Sequence, residues 1–317
     1  MTAALQNEQR KLGILGVPLG FGAGKSGSEL GVEAIRLSRV RGAQLASHLS
    51  DLGYDVKDYG NVPVAQPMTA ADLSDNPKYL PEMAESCRRI STAVRQILND
   101  GAAPVILGGD HSIAIGTFSA VSAHFRAQGE EIGLLWFDAH ADINTPQTSV
   151  SGNLHGMPLA VLLGQGASDL VELEGFAPKL NKKYFAHVGA RDLDAGERSR
   201  IAELGLRDHF FTMADVDKRG MLACVTDALA IVSQAPGGFA VTFDVDALDP
   251  VFAPGSGTLV RGGASYREAH LALELIAEHG GMRSFEIVEV NPLLDQSNIT
   301  VELAVELILS AMGKTIL

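Results

Sequence analysis

Cysteine is nearly missing from this chain, with only Cys87 and Cys224 in 317 residues. The two lie far apart without CxxC spacing, so neither a disulfide framework nor a thiolate metal site is expected, and both read as buried filler in helices. Long apolar runs are missing too. No stretch approaches the roughly 20 apolar residues that a membrane-spanning helix requires, and the opening MTAALQNEQRK has no apolar signal region. A cytoplasmic protein without a membrane partner is expected. Positive charge is scarce: 25 Lys and Arg stand against 38 Asp and Glu, a net charge of −13. Phosphate neutralisation needs clustered cations, so nucleic acid is not an expected partner. An acidic surface keeps a protein soluble, and it also steers a cationic small molecule toward a cleft. Internal repeats and low-complexity blocks are absent.

What is present suits a sizeable core, since 46% of residues are hydrophobic and 20% charged. Short apolar runs rich in β-branched residues end in Gly or Asp and alternate with stretches of helical period, the pattern of βαβ units. Strands are expected at 12–17, 55–59, 105–107, 133–137, 184–188, 209–212, 239–243 and 284–288, and helices at 81–99, 112–125, 157–163, 221–233, 266–279 and 299–311. The expected fold class is α/β, a single domain with a doubly wound, mostly parallel β-sheet and helices on both faces. Residues 1–10 read as a flexible lead-in to one domain over 11–317, and 62–76, rich in Pro, Asp and Ser, reads as an irregular excursion.

Two apolar runs end in acidic clusters. GLLWFDAHAD delivers Asp138, His140 and Asp142, and AVTFDVDALD delivers Asp244, Asp246 and Asp249. Side chains at i, i+2 and i+4 of an extended segment share a face, so each set is expected to converge. PVILGGDH brings Asp110 and His111 to the same sheet edge, because parallel strands present their C-terminal ends together, where ligands of open α/β sheets bind. Burying so many carboxylates without cations costs several kcal/mol per ion. The cluster therefore predicts two metals roughly 3.5–4 Å apart, and without thiolates the donor set leans toward Mn²⁺ over Zn²⁺. Asp110 also reads as a helix cap, and Asp249, before Pro250, as a turn residue.

At these motifs the sequence resembles the ureohydrolase superfamily, and within it the arginases. GGDHS, DAHAD and FDVDALDP are shared across the superfamily, whereas INTPQTSVSGNLHGMP at 143–158 is similar to the arginase form of the following loop. The resemblance implies an arginase-like catalytic domain with two Mn²⁺ per subunit, one held by His111, Asp138, Asp142 and Asp244, the other by Asp138, His140, Asp244 and Asp246. Asp138 and Asp244 would bridge. It further implies that Asn144, Ser149, Ser151 and Asn153 hold the α-carboxylate of L-arginine, Asp194 and Glu197 lie near its α-amino group, and Thr258 and Glu289 lie beside its guanidinium. Asp194 and Glu197 also read as the acidic opening of a helix. Ser149, Val32 and Leu259 depart from frequent family residues without touching an expected ligand.

The expected reaction is hydrolysis of L-arginine to L-ornithine and urea by a metal-bridging hydroxide. Asp142 would carry the proton to the leaving amine, Glu289 would orient the guanidinium, and His155, with an ordinary pKa near 6.5, would shuttle protons to solvent. Agmatinase, guanidinobutyrase and formiminoglutamase are similar in metal ligands but not in the 143–158 loop. A metal phosphoesterase or deacylase leaves the acidic pair unexplained, and a non-catalytic oligomeric regulator would be marked by lost ligands. Family analogy suggests a homo-oligomer, trimer or hexamer. Arg267 and Glu268 resemble subunit-contact residues, yet Ser265 and Glu268 also form a capping-box pattern.

Overall fold

A computed structural model describes residues 10–70 and 76–316. The apolar runs form eight strands: β1 (Lys11–Val17), β2 (Asp55–Asn61), β3 (Ala103–Gly108), β4 (Gly133–Phe137), β5 (Phe185–Val188), β6 (Phe210–Phe211), β7 (Phe239–Asp244) and β8 (Met282–Val288). They make one sheet in the order β2-β1-β3-β8-β7-β4-β5-β6, with every pair parallel. Parallel strands need crossovers, and the crossover helices cover both faces. This is why Gly133–Phe137, GLLWF, is buried at all five positions rather than alternating.

Against one face pack α1 (Gly31–Leu37), α2 (Leu45–Asp51), α9 (Met221–Val232), α10 (Tyr266–His279) and α11 (Ile299–Ala311), through residues such as Ile35, Leu49, Val225, Leu273 and Val305. Against the other pack α3 (Leu80–Asn99), α4 (Ala114–Arg126) and α5 (Pro158–Leu162), through Ile90, Phe118 and Leu159. The single doubly wound α/β domain expected from the sequence matches this arrangement.

The expected strands are all present: β1, β2, β3, β7 and β8 run one to three residues longer than expected, β4 matches, and β5 and β6 are shorter. The expected helix at 112–125 begins instead with a 3-10 turn, His111–Ile113, before α4. Among the described residues five helices were not anticipated: α1, α2, α6 (Ser168–Val171), α7 (Ala195–Leu204) and α8 (Met213–Arg219). Residues 62–70 and 76 are irregular, as expected, and the irregular stretch runs on through 79; 71–75, like 1–9 of the expected lead-in, lie outside the described residues. Cys87 and Cys224 are both buried and free, the former on α3 and the latter on α9. Among the described residues no helix is long and apolar enough to cross a membrane.

Candidate active site

The four central strands β3, β8, β7 and β4 all end at one rim of the sheet, and each hands over to functional residues there. After β3 comes Gly109, where any Cβ would lie 1.7 Å from the Leu19 carbonyl oxygen, so only glycine lets the two backbones approach. Asp110 then caps the turn that follows, its Oδ1 accepting from Ser112 N at 3.0 Å, while Oδ2 accepts from Gly22 N at 2.8 Å and Ala23 N at 3.2 Å. Of its two readings, the cap is the one realised. Asp249 is likewise a turn residue, accepting from Val251 N and Gly262 N.

The ligand candidates do converge, but not as an extended face. Asp138 follows β4, Asp142 sits at a positive φ of 53°, and Asp246 lies in a 3-10 turn, Val245–Ala247, capped by Asp244. Turns, rather than strand periodicity, aim these carboxylates. His111 Nδ1 lies 3.0 Å from Asp138 Oδ2, 3.1 Å from Asp142 Oδ2 and 3.4 Å from Asp244 Oδ2. His140 Nδ1 lies 3.3 Å from Asp138 Oδ1 and 3.2 Å from Asp246 Oδ2. Two donor groups able to hold an ion follow, His111–Asp138–Asp142 and Asp138–His140–Asp246, with Asp138 common to both.

The electrostatics of the cluster favour cations. Burial pushes the Asp142 carboxyl up to about 7, with Asp138 adding to the push. Burial, Asp246 and Asp138 hold Asp244 well above the carboxylate range. Burial alone would lower the two imidazoles, but the surrounding carboxylates reverse this and raise both. His111 Nδ1 is buried and finds no hydrogen-bond partner despite the oxygens around it. An imidazole nitrogen ringed by carboxylate oxygens, without thiolates, is a donor set that suits a hard or borderline divalent ion.

Above the cluster opens a cleft of about 280 Å³, lined by Asn144, Ser149, Ser151, Asn153, His155, Asp194, Glu197 and Thr258 among others. Thr258 Oγ1 donates to Asp246 Oδ2 at 2.9 Å. Asp194 and Glu197 form a capping box at the start of α7. Glu197 Oε1 also accepts from the backbone of Ala141 and Asp142, at 3.1 and 2.9 Å, so this carboxylate shapes the ligand loop as well as the cleft wall. Asn144 Nδ2 donates to Asp194 Oδ2 at 2.8 Å. Glu289 is buried at a positive φ of 63°, and its Oε1 accepts from His111 N and from His155 Nδ1, both at 3.0 Å. The expectation of an ordinary pKa near 6.5 for His155 therefore fails: burial opposes its charge, but the Glu289 bond outweighs this and lifts it to about 9.

Sequence reasoning missed several supporting residues. Trp136 donates from Nε1 to Asp138 Oδ2 at 3.0 Å and stacks on the His111 ring. Arg191 donates to the carbonyls of Asp246 and Leu248, at 2.6 and 3.1 Å, fixing the turn that carries Asp246. Asn76 and Lys78 clasp the 143–158 loop through Pro146 O and Asn153 Oδ1. Trp136 and Thr242, whose Oγ1 lies 2.8 Å from His111 Nε2, each stand two residues before a ligand candidate, so the period-two rule applied backwards along the strand would have found them. A larger hollow of about 560 Å³ lies at the opposite ends of the strands, but its lining includes no carboxylate and so offers no comparable donor set.

The arginase family model matches residues 10–313. An arginase of Bacillus subtilis is 42% identical over 97% of this chain and 99% of its own, and one of Brevibacillus brevis is 41% identical over the same shares. The solved structure of an arginase from Bacillus caldovelox superposes with a TM-score of 0.90 at 39% identity, covering 98% of this chain and all of that one. With the sheet order, the paired donor groups and the cleft above them, these likenesses place the chain in the arginase family.

Proposed function

We propose that this protein hydrolyses L-arginine to L-ornithine and urea with two Mn²⁺ per subunit, and that residues 11–317 form a single catalytic domain. The observation that carries the reading is a cluster of buried Asp138, Asp142, Asp244, Asp246 and His111 with half-buried His140 at the floor of a cleft rimmed by amide, hydroxyl and carboxylate groups. His111, Asp138, Asp142 and Asp244 would hold one ion, and Asp138, His140, Asp244 and Asp246 the other. When bound, the ions neutralise the carboxylates and draw the pKa of water toward neutrality.

The chain's own groups do the rest. Asp142, at the floor of the cleft beside His111, takes a proton from the attacking water and passes it to the leaving nitrogen. Glu289 has Oε1 committed to His111 and His155, so Oε2 is the atom available to a guanidinium. His155 enters as a proton donor held charged by Glu289 and exchanges protons with solvent at the rim. Asn144, Ser149, Ser151 and Asn153 receive the α-carboxylate, Asp194 and Glu197 the side of the α-amino group, and Thr258 the guanidinium end. Exposed Val251, Leu259, Leu293 and Leu294 support assembly into a homo-oligomer, trimer or hexamer by family analogy.

The test is a comparison of kcat/KM for L-arginine and agmatine after Mn²⁺ loading. Agmatine leaves the loop groups at 144–153 unpaired, at about 1–3 kcal/mol each. Water fills part of that gap, so a preference for arginine of ~10⁴-fold is expected. An agmatine value equal to or above that of arginine would falsify the arginase reading.

A further inference from the structure

Among the described residues no Lys or Arg lines the cleft, although the carboxylates of Asp142, Asp192, Asp194, Glu197 and Asp244 do. An α-carboxylate held at the 149–153 loop is therefore met by hydroxyl and amide groups, and these must act as donors. Two of them are set for that task by their own loop. Gly152 N donates to Ser149 Oγ at 3.0 Å and Asn153 N to Ser151 Oγ at 3.2 Å, so each hydroxyl oxygen already accepts a bond and its proton is left to give away.

Asn153 is different, because an amide can turn over and offer either its oxygen or its nitrogen. Lys78 removes that choice. Its Nζ lies 3.0 Å from Asn153 Oδ1, and an ammonium only donates, so the amide oxygen faces Lys78 and Nδ2 faces away. Lys78 is itself anchored: its backbone N donates to Gly152 O at 2.9 Å, and nearby Asn76 Nδ2 donates to Pro146 O at 2.7 Å and Ser149 O at 3.2 Å. Gly24 leaves room for the nitrogen, since a Cβ there would lie 2.9 Å from Nδ2. A cation on the oxygen also polarises the amide and strengthens its N–H as a donor.

We propose that Lys78, acting through Asn153, is a positioning residue for substrate selection, fixing the Asn153 amide so that Nδ2 is offered to the α-carboxylate of an amino acid. Selection for that carboxylate then depends on a residue outside the 143–158 loop, on the irregular segment that precedes α3. The inference rests on the reading of the cleft as an arginine site given above. The contact forms alike in ground and transition states, so its loss falls on KM rather than on kcat.

The test is steady-state kinetics of the Mn²⁺-loaded protein with L-arginine and with agmatine, which lacks the α-carboxylate. Lys78→Met keeps the apolar stem and removes the ammonium; kcat/KM for arginine is expected to fall ~10–100-fold through KM, with agmatine changed by less than about threefold. Lys78→Arg restores a cationic donor and should recover most of the loss. Gly24→Ala leaves Lys78 in place and presses on Nδ2, so it should also weaken arginine and spare agmatine. In an Asn153→Ala background, Lys78→Met should cost arginine less than about threefold, since the amide it positions is gone. An arginine KM unchanged in Lys78→Met overturns the proposal. So does an equal loss for both substrates, which would mark Lys78 as a fastening of the loop alone, and so does a cost that persists in full without the Asn153 amide. A parent that turns over agmatine as well as arginine removes the arginase reading itself, whereas a parent that strongly prefers arginine, with Lys78→Met preferring it as strongly, removes only this inference.

Discussion

At the scale of single residues, the site is governed by charges held away from their ordinary states. His155 is the clearest case, because its bond to Glu289 lifts it from 6.5 to about 9 against the cost of burial. The folded chain therefore holds this proton more tightly than the unfolded chain. The stabilisation is fully present below about pH 6.5 and is lost as the pH rises through about 9. In chelator, the melting temperature of the parent should exceed that of His155→Asn most near pH 6, and the gap should close above pH 9. A gap that is constant across that range would show that the pair contributes no proton-linked stability. The ligand candidates themselves were legible because each belongs to a carboxylate or histidine run at a strand end. The capping roles of Asp110, Asp194 and Glu197 were legible only as alternatives, since which backbone amides a carboxylate will meet depends on turns that composition does not fix.

Among the elements, α7 shows what sequence reading passes over. Of its ten residues only Glu197 and Ile201 are buried, so it lacks the apolar stripe by which a helix declares itself. α1, α2 and α8 are each seven residues long, too short for a period of 3.6 to repeat convincingly. The strands were easier: fully buried parallel strands read as plain apolar runs, and glycine or aspartate marks their ends. Although it went unseen, α7 matters to the site, because the carboxylate at its start accepts three backbone N–H groups, of Ala141, Asp142 and Asp194. Glu197→Ala leaves buried donors unpaired at about 1–3 kcal/mol each. Urea unfolding in chelator should shift to a clearly lower midpoint for this variant, and because Asp142 loses its support, kcat should fall together with stability. An unchanged midpoint would mean that water replaces the carboxylate without loss.

For the molecule as a whole, the sheet order was not legible at all, since apolar runs of similar length carry no label of their neighbours. Yet the order has a consequence for how the chain is made. Among the described residues β8 is the strand that pairs with both β3 and β7 and joins them in the sheet, although it comes last of the eight in the sequence. Until Met282–Val288 has been synthesised, β2-β1-β3 and β7-β4-β5-β6 are two half-sheets with exposed inner edges, each open to pairing with the wrong chain. The keystone arrives at the end, as in a masonry arch whose two limbs need scaffolding until it is set. A chain stopped at Gly281 should therefore be digested rapidly by protease, fail to retain Mn²⁺ and depend on chaperones for solubility. If it were instead protease-resistant, the halves would have closed without their central strand. The full-length protein should fold slowly, gated by this long-range insertion rather than by any of its helices.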